Sequence, residues 1–293
     1  IYTGEDTLSL HDALPIYLRV QNTFRAPIFD CLQGQINYFI EQLKRNPDAI
    51  PIDLPTQPMY NTLMAMYQAG GIAMANVTSK AIKRDIAKGD AEEESLWDYV
   101  IRRYYEMFLM DKIVIPITDT TLEQIRRVLL QANEEGWGVD KTVRQLKTSD
   151  ITRMRAELIV RTESMRASNT GAMIAAAGSS VAVMKKWNSA QDNRTRRIPR
   201  DQFDHLHLDG KVVGFDQPFI PPSTAALDAL QFPGDPSGSA GDICNCRCVV
   251  SFVPMRDGQG RPVPVEEYRP QATSTFRKLY EEGQIHRNTF QTI

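Results

Sequence analysis

Thiol and imidazole side chains in the C-terminal half of the chain form a pattern that suits a metal ion. Cys244, Cys246 and Cys248 lie at alternate positions, and His205 lies upstream of them. Zinc prefers thiolate and imidazole ligands, and four of them close a structural site. The C-x-C-x-C spacing departs from the usual pair of x-x knuckles, but alternate residues of a strand point to one side. The sequence therefore predicts either a structural zinc site on these four residues or reduced cysteines buried in a strand.

The histidine also belongs to a short segment that is rich in carboxylates. Asp204, His205, His207 and Asp209 all lie within it. Histidine beside carboxylates can act as a general acid or base, or bind the metal of a nuclease. We find no second carboxylate motif and no glycine-rich phosphate loop to complete such a site. The main alternative is a histidine that orders its own loop.

Charged residues at helical spacing form a third group. Arg161 follows Glu157 by four residues, and Arg166 follows Glu163 by three. Such pairs commonly form a solvated helix face. The alternative is that Arg161 and Glu163 brace the loops of a neighbouring layer, since buried charges need fixed partners. Because no nucleophile accompanies the pair, we do not predict catalysis by it.

A mostly basic run lies between these groups. It contains Lys185, Lys186, Asp192, Arg194, Arg196, Arg197 and Arg200. The run can bind DNA phosphates or an acidic partner. The alternative is a solvated loop.

The elements that must position these side chains are helical in the N-terminal half. Apolar residues at three- and four-residue steps predict a helix of about 20 residues that ends near Pro47. Two more helices are predicted, over 59–87 and 92–110. In the first of these two, Gly70 and Gly71 predict a kink or close helix packing.

The middle of the chain is predicted to contain a β-branched run and then three more helices. Asp119 or Thr120 is the expected cap of a helix over 122–133. A short helix over 139–146 follows, and then a long one from 149 or 150 to 177. Small residues crowd the second half of the long helix, so we expect it to pack tightly against a neighbour.

Beyond Gly178 the pattern changes to short segments rich in proline, glycine and aspartate. Strands are predicted at 181–187 and 248–253, within a loop-rich β layer over 181–254. A linker and one amphipathic helix end the chain. The predicted fold class is α+β: an elongated N-terminal helical arm or bundle, then a long helix packed with a small loop-rich β layer.

Composition limits the class of protein. With 34 Lys and Arg against 36 Asp and Glu, the net charge of -2 gives no global basic field for coating DNA. We find no transmembrane stretch and no secretory signal, and four cysteines are too few and too clustered for a disulfide framework. The first 16 residues are expected to be a non-native or disordered extension.

The order of the C-terminal motifs resembles the phage Mu F-like family of head-morphogenesis proteins, over 122–254. The motifs are RTE on a helix, Lys186-Trp187, the 192–196 segment, DHLHLDG, Pro218-Phe219, FPGDP and NCRC. The positions that match the family signature are Arg161, Glu163, His205, Asp209, Gly210, Pro233, Gly234, Asp235, Cys246 and Cys248. Glycines at 210 and 234 suit turns, and aspartates at 209 and 235 suit the capping of loop amides. Cys244 lies outside the NCRC pair, which weakens a site with three thiols.

The resemblance implies a minor capsid or head-morphogenesis protein of a tailed phage. Its implied partners are the portal protein, capsid or scaffold, and packaged DNA, with no membrane. It implies the virion head as location, and the bacterial host cytoplasm during assembly. The predicted division of the chain is an extension at 1–16, a helical part at 17–112, the Mu F-like domain at 113–255, and a linker and helix at 256–293.

On this basis no enzyme activity and no cofactor are expected, apart from the structural zinc that the thiol and imidazole pattern suggests. Two alternatives from other classes stay open. One is a nuclease or toxin-type enzyme, which would need a further catalytic domain, although only about 40 residues follow the module. The other is a zinc-dependent module that binds nucleic acid.

Overall fold

A computed structural model describes residues 10–84, 94–147, 149–225, 227–268 and 274–291. The helices are α1 (Leu10–Arg45), α2 (Gln57–Arg84), α3 (Glu94–Glu106), α4 (Ile115–Glu134), α5 (Val139–Leu146), α6 (Ser149–Ala177), α7 (Ala240–Ile243) and α8 (Thr275–Gln291). The strands are β1 (Val183–Asn188), β2 (Val212–Gly214) and β3 (Val249–Pro254). The architecture is α+β, as predicted, with the N-terminal helices forming a bundle around α6.

Helix α6 packs against α2 at backbone distance. A Cβ atom added to Gly171 would overlap the carbonyl oxygen of Gly71, and one added to Gly70 would lie 3.1 Å from Cβ of Ala167. Small residues allow two helix backbones to approach this closely, because no side chain separates them. The prediction of tight packing in the second half of α6 is confirmed. Of the two outcomes predicted at Gly70 and Gly71, the structure places these glycines in the close helix contact.

The first helix is longer than its apolar stripe predicted. It begins at Leu10, inside the segment expected to be an extension, and Ala13 is buried. Residues 1–9 lie outside the described residues. That residues 10–16 are a non-native extension stays a prediction.

The run of β-branched residues before α4 is helical. The predicted helix cap at Asp119 or Thr120 is wrong, because both residues lie inside α4. A π-helix covers Leu109–Val114, and α4 follows at Ile115 with Pro116 in its first turn. Proline is tolerated there because the first N–H groups of a helix have no intrahelical partner. The hydroxyls of Thr118 and Thr120 donate to the carbonyls four residues earlier, so these residues lie within the helix.

The β layer is a three-stranded antiparallel sheet in the order β2-β1-β3. Met184 pairs with Val253 on one side and with Gly214 on the other. Every residue of β3 is buried, and this strand contacts α6. Apart from the short helix α7, the rest of the layer is loop, as predicted. The strand begins at Val249, so Cys246 and Cys248 precede it rather than lie in it.

One large apolar core joins the helices to the β layer. It runs from α1, α2 and α3 through α6 to β1 and β3, and Phe276 and Tyr280 of α8 complete it. Trp97 of α3 and Trp187 of β1 are both buried. A smaller core lies between the end of α1 and helices α4 and α5. Among the described residues, no helix has the length and apolar character needed to cross a membrane.

Candidate functional site

Side chains of α6 hold the loops of the β layer in place. Asn169 donates from Nδ2 to the carbonyl oxygens of Pro233, at 2.8 Å, and Cys248, at 3.1 Å. Its Oδ1 accepts from the backbone N–H of Val250 at 3.1 Å, so one buried amide satisfies three groups of the layer. Two turns earlier, the hydroxyl of Thr162 accepts from the N–H of Asn245. The helix therefore fixes the segment that carries the cysteines.

A buried ion pair extends this bracing. Arg166 binds the carboxylate of Glu163, and its Nε donates to the carbonyl oxygen of Gly234 at 2.7 Å. The hydroxyl of Tyr67 donates to Glu163 at 2.5 Å. The pair of Glu163 and Arg166 does not form a solvated face, because both side chains are buried. The predicted bracing of the loops is observed, but Arg166 rather than Arg161 contacts the loop, and Glu163 orients the side chain of Arg166.

Arg161 does not reach the loops in the way proposed from the sequence. Its Nε donates to the backbone oxygen of Glu157, one turn back in the same helix. The carboxylate of Glu157 instead pairs with Arg25 of α1 at 2.5 Å. The spacing of four residues between Arg161 and Glu157 therefore does not produce an ion pair between their side chains.

The aspartates of the two signature loops accept hydrogen bonds from backbone amides. Asp209 accepts from the N–H of Ser189 at 2.8 Å. Asp235 accepts from the N–H groups of Gln231, at 2.7 Å, and Ser237, at 2.9 Å. Gly210 and Gly234 have φ values of 73° and 85°, a conformation that favours glycine because it has no Cβ atom.

His205, Cys246 and Cys248 converge in the interior of the β layer. The imidazole Nδ1 lies 3.5 Å from Sγ of Cys246 and 3.7 Å from Sγ of Cys248. The three possible ligand atoms all lie within 4.8 Å of one another, and all three residues are buried. We refer to these three residues as the His-Cys cluster.

The other imidazole nitrogen is held by a carboxylate. Nε2 of His205 lies 2.5 Å from Oδ1 of Asp242, which is fully buried on α7. When Nε2 carries the proton and donates it to Asp242, Nδ1 presents its lone pair to the two sulfur atoms. Asp242 therefore selects the tautomer that can bind an electrophile at Nδ1.

The electrostatics of the cluster favour a thiolate on Cys246. A hydrogen bond from Cys248 and the nearby imidazole hold the pKa of Cys246 well below its usual value. Burial lowers the pKa of His205, but the charge of Cys246 and the hydrogen bond to Asp242 outweigh it and raise that pKa to about 9. The pKa of Cys248 is raised, chiefly by its hydrogen bond to Cys246. One thiol of the pair is thus poised to lose its proton.

Cys244 is not part of the cluster. It is half-buried at the end of α7, and its carbonyl oxygen accepts a hydrogen bond from Arg196. Burial raises the pKa of its thiol. The structure therefore brings together three of the four predicted ligands, and Asn245, with a φ of 58°, turns the chain between Cys244 and Cys246.

The other predicted acid-base residues are used within their loops. Asp204 accepts from the N–H of His207 at 2.8 Å, and the side chain of His207 is exposed. His205 is 2% exposed, so a phosphodiester in solution cannot reach it.

Much of the basic run also makes internal contacts. Lys185 is fully buried, and Arg196 donates to the carbonyl oxygen of Cys244 at 2.6 Å. Arg200 donates to the carbonyl oxygen of Thr195 at 2.6 Å. Asp192 forms a two-point ion pair with Arg247. Binding of DNA by this run stays a prediction.

Sequence reasoning missed Asp242 and gave Asn169 no role. Asp242 lies four residues before Cys246, in a segment of small and apolar residues where a lone carboxylate is a usable signal. Asn169 lies in a run of small polar residues, and nothing local marks its contacts with positions 64 and 79 residues away.

Comparison with known proteins supports the resemblance predicted from the motifs. Residues 123–251 match the family model described as Phage Mu protein F like protein. This segment contains most of α4, all of α6 and nearly all of the β layer, and the resemblance to that family is confirmed over it.

The chain is also similar to a curated bacterial protein of uncharacterized role. It is 32% identical over 134 residues to the uncharacterized protein YqbB of Bacillus subtilis (strain 168). The match covers 45% of this chain and 42% of that relative, so it spans less than half the length of either protein. No solved structure matches this chain.

Proposed function

We propose that this chain is a minor structural component of a tailed-phage head, which works beside the portal in procapsid assembly or in DNA packaging or ejection. The observation that carries the proposal is the match of 123–251 to the phage Mu F-like family. On this proposal the protein belongs in the virion head, and in the host cytoplasm during assembly.

The contacts of the signature residues support a structural role over a catalytic one. Asp209, Asp235 and the Glu163–Arg166 pair are occupied by groups of the same chain. A catalytic side chain must reach a substrate, whereas these residues rigidify loops. We infer a protein without turnover, whose rigid β layer and helical bundle provide a docking body.

Co-purification with a portal tests this function. The full chain would be produced with the portal protein of the same phage, and with the portal of an unrelated phage as the matched control. We expect it to co-elute with the first portal ring and not with the second. Quantitative mass spectrometry of procapsids and virions should then find the chain at a few copies per particle. Absence from both particles, together with no portal binding, would overturn the proposal.

A further inference from the structure

The His-Cys cluster has the dimensions of a metal-binding site. In tetrahedral zinc sites the Zn–N distance is about 2.0–2.1 Å and the Zn–S distance about 2.3 Å. A tetrahedron with those arms has an N to S edge of about 3.5 Å. The observed distances from Nδ1 of His205 to the two sulfur atoms are 3.5 and 3.7 Å. An ion at the centre would therefore bind all three atoms with little movement of the side chains.

The surroundings of the cluster also match those of a metal-binding histidine. Metal-bound imidazoles almost always donate their second N–H to a carboxylate or carbonyl, which fixes the ring and raises its basicity. Asp242 occupies that position. Its Oδ2 is buried, and it has no hydrogen-bond partner among the described residues. A buried carboxylate in this state is easier to explain when it balances a nearby positive charge.

We propose that Nδ1 of His205 and the thiolates of Cys246 and Cys248 bind one Zn²⁺ ion, with a water molecule as the fourth ligand and Asp242 as the positioning residue. Binding releases two protons to solvent, one from the pair formed by Cys246 and His205 and one from the thiol of Cys248, and leaves Nδ1 unprotonated. The ion would tie the loop of His205 to the start of β3. This inference concerns the β layer alone and does not rest on the proposed function.

The thermodynamic reason for an ion here is the small size of the layer. Its sheet has three strands, and β2 contains only three residues. A structural metal contributes its binding free energy directly to folding, because the unfolded chain does not hold the ligands together. The cluster is buried, and the ring of Trp187 lies 5.2 Å from that of His205, so these surroundings shield the site from bulk solvent.

Elemental analysis of the full chain tests the proposal. The protein would be purified under reducing conditions without chelators and analysed by inductively coupled plasma mass spectrometry. We expect one zinc per chain in the wild type and in the controls Cys244→Ser and Cys31→Ser, and loss of zinc in Cys246→Ser and Cys248→Ser. Asp242→Asn should retain the site but bind zinc roughly 10- to 100-fold more weakly.

Two measurements on the wild type do not depend on the folding of variants. Zinc-edge X-ray absorption should fit two sulfur and two nitrogen or oxygen neighbours. Replacement of zinc by Co²⁺ should give thiolate charge-transfer bands and the visible bands of tetrahedral cobalt. The proposal would be overturned if metal-free wild-type protein bound neither Zn²⁺ nor Co²⁺ when these ions were added. A bound zinc without sulfur neighbours would also overturn it. Retention of zinc by both cysteine variants would overturn it equally.

Discussion

The cationic side chain of Lys185 is buried among backbone and amide oxygens. Its Nζ donates to the carbonyl oxygen and to Oε1 of Gln231, both at 2.9 Å. Burial lowers the pKa of Lys185 to about 7, and the charges of Asp216 and Asp235 only partly oppose it. Between about pH 7 and the normal lysine pKa of about 10.4, the unfolded chain therefore holds a proton that the folded chain has lost.

Lys185 should therefore contribute a rise of the free energy of unfolding with pH in this window, of up to about 1.4 kcal/mol per pH unit. Lys185→Met should remove that component and flatten the profile. Urea unfolding at several pH values between 7 and 10 would measure it. Lys44→Met is the matched control, because Lys44 is exposed at the end of α1 and should keep the wild-type slope. An unchanged slope in Lys185→Met would contradict the assignment.

The buried carboxylate of Glu163 balances the charge of Arg166. Glu163→Gln should leave the buried Arg166 without its counter-charge, which costs about 3–5 kcal/mol when one partner of a buried pair is removed. The urea midpoint should fall with little change in slope. Glu41→Gln removes one partner of the solvent-exposed pair with Lys44 and should leave the midpoint unchanged. Equal midpoints in the two variants would argue against burial of the Glu163–Arg166 pair.

Among elements, the contact of α2 with α6 leaves no room for a side chain. Gly171→Ala should lower the free energy of unfolding by about 3 kcal/mol, because the added methyl group meets the backbone of Gly71 rather than a movable side chain. Gly34→Ala is the matched control. Gly34 lies in α1 with nothing within 4 Å of the added atom. Alanine there should stabilise the protein by about 0.5–1 kcal/mol. Thermal and urea unfolding should separate the two variants clearly.

The helix predictions succeeded where local residue types mark the ends or the contacts of a helix, and failed where packing in the core decides the structure. The bounds of α5 were predicted correctly, since glycine and charge mark its ends, and the small residues of α6 signalled a close neighbour. The segment 113–121 was not predicted correctly. Its β-branched residues favour a strand locally, yet Ile113 and Val114 face the core of the helical bundle. Packing therefore outweighs propensity there.

For the whole molecule, the helices and the β layer share one core. Ala167, Ile174 and Met173 of α6 are buried in the same cluster as residues of α2 and β3. A fragment of residues 113–255 would expose the face of α6 that α2 covers. We expect this fragment alone to lack a cooperative unfolding transition and to recover one when 17–112 is co-expressed. Circular dichroism and denaturant titration would measure this, and a cooperative transition in the isolated fragment would contradict it.

Contacts between residues far apart in the chain limit how much of the site the sequence could reveal. His205, Cys246 and Cys248 were predictable, since their residue types suggest zinc and match family signature positions. Cys244 was included by spacing alone, and only the turn at Asn245 separates it from the cluster. Asp242 and Asn169 act on groups far away in the chain, and such contacts leave no periodic pattern. The small residues of α6 and the pair Gly70 and Gly71 each predicted a close contact, but no family motif marks the N-terminal helices, so α2 was not predictable as the partner of α6.

The burial of Trp97 in α3 and of Trp187 in β1 gives the molecule two intrinsic optical reporters, one for each layer. The third tryptophan, Trp137, is half-buried, so a soluble quencher such as acrylamide would suppress its emission more than that of the two buried tryptophans. The ring of Trp187 touches His205, so its fluorescence should respond to events in the β layer. Emission from Trp97 should follow the helices. Loosening of either layer can thus be observed by fluorescence in the unlabelled protein.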